Sequence, residues 1–349
     1  MPTQLHEVIE VPSNCSRYFE NREVAISQPR ARVQLILDQK YKFLRNQFYN
    51  PELIKHDQYY CTSNTFHLGE SVGALKIIPD IFFPNTQIIE IGCGQGEYVK
   101  ELEKLGLLVV GYDPVCKTNK KNLFQTYFEP ALHIEKNSLQ KLFVMRCVLP
   151  HIQHPFDFLN EIFSYAPDAK ILMEFQRLEW ILENAAWHQF SHDHVNYFSM
   201  DSFDLEFEVI YKGVFADQEW GWVLISQNKN NSANKSIIDY SGKFLEVMSV
   251  RMLHLKTVSN LRKPIGIYGT AGKGIIFGDA INQTGVTEIF GIDENNCYWG
   301  KFMEGSGIEI VGPQAPLPSD SKIIVMNPRH YDQSLLSLGK SFEIINLFG

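Results

Sequence analysis

The pattern of apolar and polar residues changes its period twice between residues 86 and 113. A mainly apolar run at 88–91 is typical of a buried parallel strand. Three glycines follow, and apolar residues then recur at helical spacing over 99–105. A second apolar run, at 107–111, leads to Asp113. The pattern therefore predicts a strand, a glycine turn, a helix and a second buried strand, in that order.

Strands and helices keep alternating up to about residue 227. Apolar runs at 142–149 and 169–174 predict two more buried strands with a helical segment between them. The segments 205–211 and 220–226 predict an antiparallel pair that closes the sheet. We therefore assign 86–232 to one α/β domain.

A second α/β pattern follows a polar stretch of linker composition at 228–235. Helical spacing predicts a linker helix within 233–263, and 264–349 then repeats the plan of strand, glycine turn and helix. Apolar runs predict its further strands at 288–292, 308–311, 322–326 and 343–347.

Residues 1–85 show no clear strand pattern. Apolar residues between 31 and 48 follow roughly helical spacing after Pro29, which predicts a helical N-terminal cap on the α/β domain. The segment 59–67 is rich in aromatic and hydroxyl side chains. It is a candidate lid over a cofactor, and an aromatic anchor for the cap explains its composition equally well.

Composition narrows the class of protein. The chain has 349 residues, of which 21% are charged and 44% hydrophobic, with a net charge of −8. This charge disfavours nucleic acid or an anionic membrane as the main partner. No apolar run has the length of a membrane span and the start is unlike a signal peptide, so we expect a cytoplasmic protein. Six cysteines without a C-x-x-C pair indicate neither a zinc site nor a disulfide framework.

Glycines at every second position, Gly92, Gly94 and Gly96, form the first candidate binding site. Glycine lets the chain turn sharply and lets a ligand approach the backbone. Asp113 ends the next predicted strand, where a carboxylate can accept the hydroxyls of a ribose. Glu90 stands two residues before the first of these glycines. The spacing of the three glycines differs from the G-x-G-x-x-G of dinucleotide folds. It resembles the first two motifs of the class I S-adenosyl-L-methionine methyltransferases.

The resemblance implies the seven-stranded, Rossmann-like α/β fold of that class, with S-adenosyl-L-methionine as cofactor. It implies that Glu90, the three glycines and Asp113 bind this cofactor. Arg146 and Cys147 stand near the end of the predicted strand at 142–149. We expect them to line the side of the site where the methyl group is donated.

The second candidate site is His192-Asp193-His194, with Tyr197 close behind it. In an extended chain the two histidines share one face and Asp193 points away. Imidazole titrates near neutral pH, so either ring can take a proton from a substrate, and a carboxylate can orient the ring. A pair of buried core histidines is the structural alternative. No third metal ligand lies nearby in the sequence, so no metal is expected.

Motifs around this cluster occur in the same order as in the bacterial sugar C-methyltransferases, which methylate a ring carbon of nucleotide-linked deoxy keto-sugars. The segments that carry this resemblance are 146–159, 173–176, 192–199, 267–274 and 327–331. It implies that His194 is the general base and that Asp193 takes the place of a glutamate. His192 or Tyr197 would then donate a hydrogen bond to the enolate oxygen.

The chain departs from this family at three points. Ser191 stands at the position of a tyrosine, and Pro150 stands where relatives commonly have glutamate. The cysteine pairs of the family's N-terminal zinc module are missing.

The glycine turn at 269–274, which contains Lys273, allows two interpretations. It is a structural link between strand and helix, or its amides and Lys273 contact a phosphate or a sugar. The resemblance favours substrate contacts by Tyr268, Lys273, Asn327 and Tyr331. Asp293 stands where a second ribose-binding acid would.

The sequence thus predicts an S-adenosyl-L-methionine-dependent methyltransferase. Its expected substrate is sugar-like and nucleotide-activated, is held between the two α/β domains, and is methylated on carbon. An O- or N-methyltransferase of a sugar or another small metabolite is the alternative within enzymes. A non-catalytic subunit that binds S-adenosyl-L-methionine or a nucleotide is the alternative from another class.

Overall fold

The computed structural model describes residues 3–4, 7–57, 59, 67–76, 85–117, 120–227, 240–327, 329, 331–338 and 342–348. The predicted linker at 228–235 and most of the candidate lid at 59–67 lie outside these residues. Within the described ranges, no helix is long and apolar enough to cross a membrane.

Short strands dominate the N-terminal segment. Its elements are β1 (Thr3–Gln4), β2 (Ile9–Pro12), β3 (Tyr18–Phe19), α1 (Arg22–Ile26), β4 (Arg30–Val33), β5 (Leu35–Leu37) and β6 (Leu44–Asn46). Strand β2 pairs with β4, while β1, β5 and β6 form one antiparallel sheet.

The predicted helix over 31–48 is therefore wrong. Burial alternates along β4, where Ala31 and Val33 are buried and the two arginines are exposed. This period of two is typical of a strand with one covered face. The chain reverses between β5 and β6, and neighbouring strands supply the backbone hydrogen bonds that a helix would have made within itself.

The next part of the chain forms the largest sheet and its helices. Its elements are α2 (Leu68–Lys76), β7 (Thr86–Ile91), α3 (Glu97–Lys104), β8 (Leu108–Tyr112), β9 (Leu123–Phe124), α4 (Pro130–His133), β10 (Gln140–Arg146), α5 (Pro155–Tyr165), β11 (Lys170–Gln176), α6 (Leu178–Glu183), β12 (Asn196–Tyr197), β13 (Glu208–Phe215) and β14 (Trp220–Ser226).

Seven of these strands form one mixed sheet in the order β13-β14-β11-β10-β7-β8-β9. Strands β7 to β11 are parallel, and β14 and β13 close the sheet antiparallel. This is the seven-stranded class I methyltransferase fold that the sequence predicts. The strand order reverses at β7, so a crevice for ligands is expected at the carboxyl ends of β7 and β10.

The C-terminal part forms a second, smaller α/β unit. Its elements are α7 (Tyr240–Ser259), β15 (Ile265–Tyr268), α8 (Lys273–Asn282), β16 (Ile289–Ile292), β17 (Phe302–Met303), β18 (Ile310–Val311), β19 (Lys322–Val325), α9 (Tyr331–Leu338) and β20 (Glu343–Ile345). Five strands form a parallel sheet in the order β18-β16-β15-β19-β20, which confirms the predicted second α/β pattern.

The N-terminal segment joins the two α/β units. Strand β12 adds to the sheet of β6, and β17 pairs with β3. One hydrophobic cluster contains Leu44 from the N-terminal segment, Leu178 from α6, Phe244 from α7 and Ile267 from β15. The N-terminal segment is thus built into both neighbours and is no separate helical cap. The domain boundaries drawn from the sequence stay predictions.

Candidate active site

The glycine turn after β7 needs glycine for two reasons. Gly92, Gly94 and Gly96 have φ angles of 75°, 57° and 82°, in the left-handed region that other residues avoid. A Cβ on Gly92 would also lie 2.2 Å from Cγ2 of Val148. The Gly92 amide donates to the carbonyl of Tyr112 (2.8 Å), which ties the turn to the end of β8.

Asp113 holds this turn from the end of β8. Its Oδ2 accepts the amide of Gly94 (2.9 Å), and its Oδ1 accepts the amide of Val115 (2.9 Å). Each oxygen keeps a further lone pair for a ligand hydroxyl. Burial raises the pKa of the Asp113 carboxyl, although the two amides and His56 act to lower it. The structure thus brings together the turn and the acid that the sequence assigns to a cofactor.

A cavity of about 580 Å³, the main cavity, opens over the glycine turn and Asp113. Small-molecule sites have volumes of about 300–1,000 Å³. Gly92 and Gly94 line it, whereas Gly96 precedes α3 and is not among the described lining residues. The N-terminal segment forms the opposite wall with Ser16, Tyr49, Pro51, Ile54 and His56. Sequence reasoning missed this wall because the segment shows no clear strand pattern.

The main cavity lies between the seven-stranded sheet and the N-terminal segment. All of its described lining residues fall between Ser16 and Phe158. The sequence predicts a substrate site between the two α/β domains, but the described lining of this cavity contains no residue of the C-terminal α/β unit.

The second glycine turn has protein partners where substrate contacts are predicted. Lys273 Nζ lies 2.5 Å from Oε1 of the buried Glu219, in the turn between β13 and β14. The Gly272 amide donates to the carbonyl of Cys15 (3.0 Å). These contacts correspond to the structural interpretation of the turn.

The other predicted substrate residues also face protein groups. The Tyr268 hydroxyl donates to the Glu294 carboxylate. Oδ1 of Asn327 accepts the amide of Arg329 (3.2 Å), and Tyr331 packs against an apolar cluster of the C-terminal sheet. None of these side chains is among the described residues that line the main cavity.

Glu90 and Arg146 have side chains in a buried charge cluster. Arg146 Nε donates to Oε2 of Glu174 (3.2 Å) and to Oγ of Ser71 (3.1 Å). Its Nη1 lies 3.9 Å from Oε1 of Glu90. Burial raises the pKa of Glu90 to about 8, while Arg146 acts to lower it. Arg146 is part of the main cavity wall, whereas Glu90 is not among the described lining residues, and its contact with the cofactor stays a prediction.

Two histidines meet at the edge of the main cavity. The rings of His151 and His194 lie edge to face with centroids 4.6 Å apart. His151 stands on a 3₁₀ turn after β10 and lines the main cavity. Its Nδ1 donates to the carbonyl of Asp193 (2.7 Å). Because a carbonyl only accepts, Nδ1 of His151 carries a proton.

His151 lies within the segment 146–159 that carries the family resemblance, but the sequence assigns no role to it. The signal was its position just beyond the carboxyl end of a buried strand, the edge at which α/β sheets bind ligands. The structure makes it the nearest ring partner of the predicted base.

Charges around the pair keep His194 neutral. Burial and the charge of His151 lower the pKa of His194 to about 4, although Asp193 acts to raise it. Burial acts to raise the pKa of Asp193, but the neighbouring imidazoles of His194 and His151 and hydrogen bonds from Cys15 and Ser191 lower it to about 2. The Asp193 carboxylate also accepts Oγ–H of Ser191 (2.7 Å) and Sγ–H of Cys15 (3.0 Å). At neutral pH the site therefore holds a neutral His194 beside an ionised carboxylate.

His192 lies apart from this pair. Its Nε2 accepts the amide of Asn50 (3.2 Å), and Nδ1 donates to the carbonyl of Arg32 (3.3 Å). The backbone bends at 192–193, so the expectation that His192 and His194 share one face of an extended chain is wrong. His192 anchors the N-terminal segment instead. Across the described ranges, no group of three or more histidines, cysteines or acids is placed to hold a metal ion.

Tyr197 has its hydroxyl engaged within the chain. It donates to the carbonyl of Ser191 (3.0 Å) and accepts the amide of the same residue (2.9 Å). The predicted donation to an enolate oxygen would have to break this contact, so the structure gives Tyr197 a structural role.

Cys147 separates the main cavity from a small cavity beside His194. Its backbone is left-handed, with φ of 59°. Burial raises the pKa of its thiol to about 12, so the thiol stays protonated at neutral pH. The predicted place of Cys147 next to the cofactor agrees with its position in the wall of the main cavity.

Comparison with known proteins identifies the central part of the chain. Residues 67–209 match a family model described as a methyltransferase domain. The matched residues include the glycine turn, Asp113, His151 and His194. No curated protein matches the chain significantly.

Several solved structures are similar at low identity. The PH0226 protein of Pyrococcus horikoshii OT3 is 14% identical, with 47% of this chain and 93% of that chain covered and a TM-score of 0.35. A Thermotoga maritima protein described as an SAM-dependent methyltransferase, possible histamine N-methyltransferase, is 14% identical over 47% and 90% with a TM-score of 0.34. The glycopeptide N-methyltransferase MtfA, crystallised with S-adenosyl-L-methionine, is 10% identical over 50% and 100% with a TM-score of 0.35. Values this low carry no information about the substrate.

The family match and the seven-stranded sheet agree on the class of enzyme. The turn that admits only glycine, the acid beside it and a cavity of suitable volume fit the cofactor of that class. Residues 67–209 are therefore a methyltransferase domain, and the protein is a methyltransferase whose site fits S-adenosyl-L-methionine as the methyl donor.

Proposed function

We propose that this enzyme methylates a carbon atom of a small, sugar-like substrate, a nucleotide-activated deoxy keto-sugar. The observation that carries the proposal is the pair of His151 and His194 at the edge of the main cavity. A methyl acceptor whose proton must be removed needs a neutral base beside the donor, and this pair supplies one.

Bound S-adenosyl-L-methionine would supply an electrophilic methyl group on its sulfonium. Gly92 and Gly94 would leave room for it against the backbone, and Asp113 would accept its ribose hydroxyls. These three residues line the main cavity.

His194 is the proposed general base. A ketone makes the neighbouring C–H acidic, and the neutral ring would take that proton and become an imidazolium. The ionised Asp193 would stabilise this charge, as it already shifts the pKa of His194 upward. His151 opposes this protonation, because two adjacent imidazolium charges repel. The enolate carbon would then take the methyl group, which the site aligns while it excludes water.

The same base would serve an acceptor hydroxyl or amine, so O- or N-methylation of a sugar or another small metabolite is the second candidate. The partner in either case is a small molecule. The net charge of −8 disfavours nucleic acid and anionic membranes.

Solvent deuterium distinguishes the two reactions. Incubation of the enzyme in D₂O with S-adenosylhomocysteine and thymidine diphosphate-linked 4-keto-6-deoxyglucose should place deuterium next to the carbonyl without methyl transfer. His194→Gln should lose this exchange and still bind S-adenosylhomocysteine. Methylation of an acceptor without any such exchange, across a panel of keto-sugar nucleotides, would favour O- or N-transfer.

A further inference from the structure

The amide of Asn196 is buried with a fixed orientation. Asn196 begins β12, opposite Arg45 of β6, and its side chain is 1% exposed. Its Nδ2 donates to the carbonyl of Ile152 (2.7 Å). A carbonyl oxygen only accepts, so the atom that faces Ile152 must be the nitrogen. Oδ1 therefore points away from Ile152.

No described residue donates a hydrogen bond to Oδ1 of Asn196. A buried acceptor left in this state costs about 1–3 kcal/mol, and native proteins rarely leave such groups unsatisfied. The position calls for a donor from outside the described chain.

Oδ1 belongs to a residue that lines the small cavity next to His194. Tyr197, Gln176 and Cys147 line it as well. The Tyr197 hydroxyl donates to Ser191, and Nε2 of Gln176 donates to Glu219. Two donors in the wall are thus already used within the protein.

The small cavity and the main cavity share a wall residue. Cys147 lines both, and the small cavity has a volume of about 10 Å³. That volume is close to a single water-sized probe. It suits one hydroxyl or amino group rather than a whole sugar ring.

We propose that Asn196 is a specificity-determining residue whose Oδ1 accepts a hydrogen bond from a hydroxyl or amino group of the methyl acceptor, close to the proton that His194 removes. This inference rests on the proposed function and adds a requirement to it. The acceptor must carry a hydrogen-bond donor near the methylated atom. An acceptor without that donor would leave Oδ1 buried and unsatisfied in the complex.

A cycle of acceptor analogues and variants tests this. The probes are thymidine diphosphate-linked 4-keto-6-deoxyglucose and its 2-deoxy and 3-deoxy analogues. The wild-type enzyme should prefer the parent over one analogue by about 10- to 100-fold in kcat/KM, the effect of one buried hydrogen bond. In Asn196→Leu this preference should fall to about 3-fold or less, through a slower reaction of the parent.

Asn46→Leu is the matched control, because Asn46 is also a buried asparagine with a hydrogen bond to a backbone carbonyl. It should lower stability and keep the preference between acceptors. A merely structural role of Asn196 would slow parent and analogue equally, and that result would overturn the inference. Equal kcat/KM for all three acceptors in the wild type would overturn it as well.

Failure of the proposed function gives a different result. If the wild-type protein binds S-adenosylhomocysteine but converts none of the keto-sugar nucleotides, the substrate class is wrong and the inference falls with it. If the parent is converted and a crystal structure with it shows a protein group or a retained water at Oδ1, only the inference falls.

Discussion

Two aspartates close the two glycine turns in the same way. Asp113 Oδ2 accepts the amide of Gly94 (2.9 Å), and Asp293 Oδ2 accepts the amide of Thr270 (2.8 Å). Only Asp113 is among the described residues that line the main cavity. The local geometry of a turn is therefore not enough to assign a cofactor site. The neighbouring cavity decides which of the two carboxylates meets a ligand.

Asp113→Asn should weaken S-adenosylhomocysteine binding by about 10- to 100-fold, because hydrogen bonds to a charged group contribute about 1.5–3 kcal/mol. Asp293→Asn is the control, because Asp293 likewise accepts two backbone amides, those of Thr270 and Asn295, and in addition the Thr270 hydroxyl. The affinity of this variant should match that of the wild type. Calorimetric titration of both variants measures this. If both variants lose the same affinity for S-adenosylhomocysteine, replacing an aspartate by asparagine acts through the stability of the fold and not through a contact with the ligand.

His194 is shifted toward its neutral form by its neighbours. Its pKa is lowered to about 4, with burial as the main cause and His151 as the second. Activity that needs neutral His194 should therefore persist on the acid side well below pH 6.5 and fall as pH approaches about 4. In His151→Gln the repulsive charge is gone, so the acid limb of kcat/KM should move to higher pH. If the acid limb of the pH profile of kcat/KM stays in place in His151→Gln, His151 does not influence the pKa of His194.

The lowered pKa of His194 also makes the stability of the fold depend on pH. Between pH 6.5 and about 4 the unfolded histidine binds a proton more readily than folded His194, whose pKa is about 4. Its contribution to the free energy of unfolding is thus present above pH 6.5 and is lost as pH falls through this window.

At the scale of elements, His192 fastens the N-terminal strands to the seven-stranded unit. It accepts the amide of Asn50 and donates to the carbonyl of Arg32. Tyr49, next to Asn50, stacks on the His192 ring with centroids 5.4 Å apart and lines the main cavity. His192 thereby holds Tyr49 in the wall of the main cavity, although His192 itself is not among the described residues that line this cavity.

His192→Phe should keep the ring stacking and lose both hydrogen bonds. We expect a loss of about 1–3 kcal/mol in the free energy of unfolding, the cost of an unsatisfied buried group. Hydrogen exchange at the Asn50 amide should become faster, while the pH dependence of kcat should stay unchanged. Loss of turnover in a folded His192→Phe protein would restore the catalytic role predicted from the sequence.

The same elements show what a sequence can reveal about this fold. The central parallel strands of both α/β units are predicted by apolar runs, because buried strands are apolar on both faces. The N-terminal strands have two to four residues, too few for a period of two to stand out. Some of their partners are remote as well: β6 pairs with β12 across the glycine turn and much of the first α/β unit, and β3 pairs with β17.

The site follows the same division. Gly92, Gly94, Asp113 and His194 are local motifs, and the structure places them around one cavity and its edge. The wall contributed by the N-terminal segment and the direction of the Glu90 side chain depend on packing. No spacing in the sequence contains that information.

At the scale of the molecule, charged contacts join the units. Lys273 at the start of α8 pairs with Glu219 between β13 and β14, and Arg30 of β4 pairs with Asp279 of α8 through two bonds of 2.8 Å. Glu219 is 2% exposed. Removal of the Lys273 ammonium would leave the buried Glu219 carboxylate with hydrogen bonds from neutral side-chain amides.

Lys273→Met should lower the free energy of unfolding by about 3 kcal/mol, as expected when one partner of a buried pair is lost. Lys263→Met removes the exposed pair with Asp320, which water screens, and should lower the free energy of unfolding far less than Lys273→Met does. Urea titrations of both proteins provide the comparison. If Lys273→Met keeps its stability and instead raises KM for the acceptor, the substrate contact predicted from the sequence is right.

Isothermal titration calorimetry of the wild-type chain with S-adenosylhomocysteine tests whether the glycine turn and Asp113 form a cofactor site. A saturable heat with one ligand per chain, weakened in Asp113→Asn and preserved in Asp293→Asn, is the expected result. A folded wild-type protein that gives no heat with either S-adenosylhomocysteine or S-adenosyl-L-methionine would contradict it.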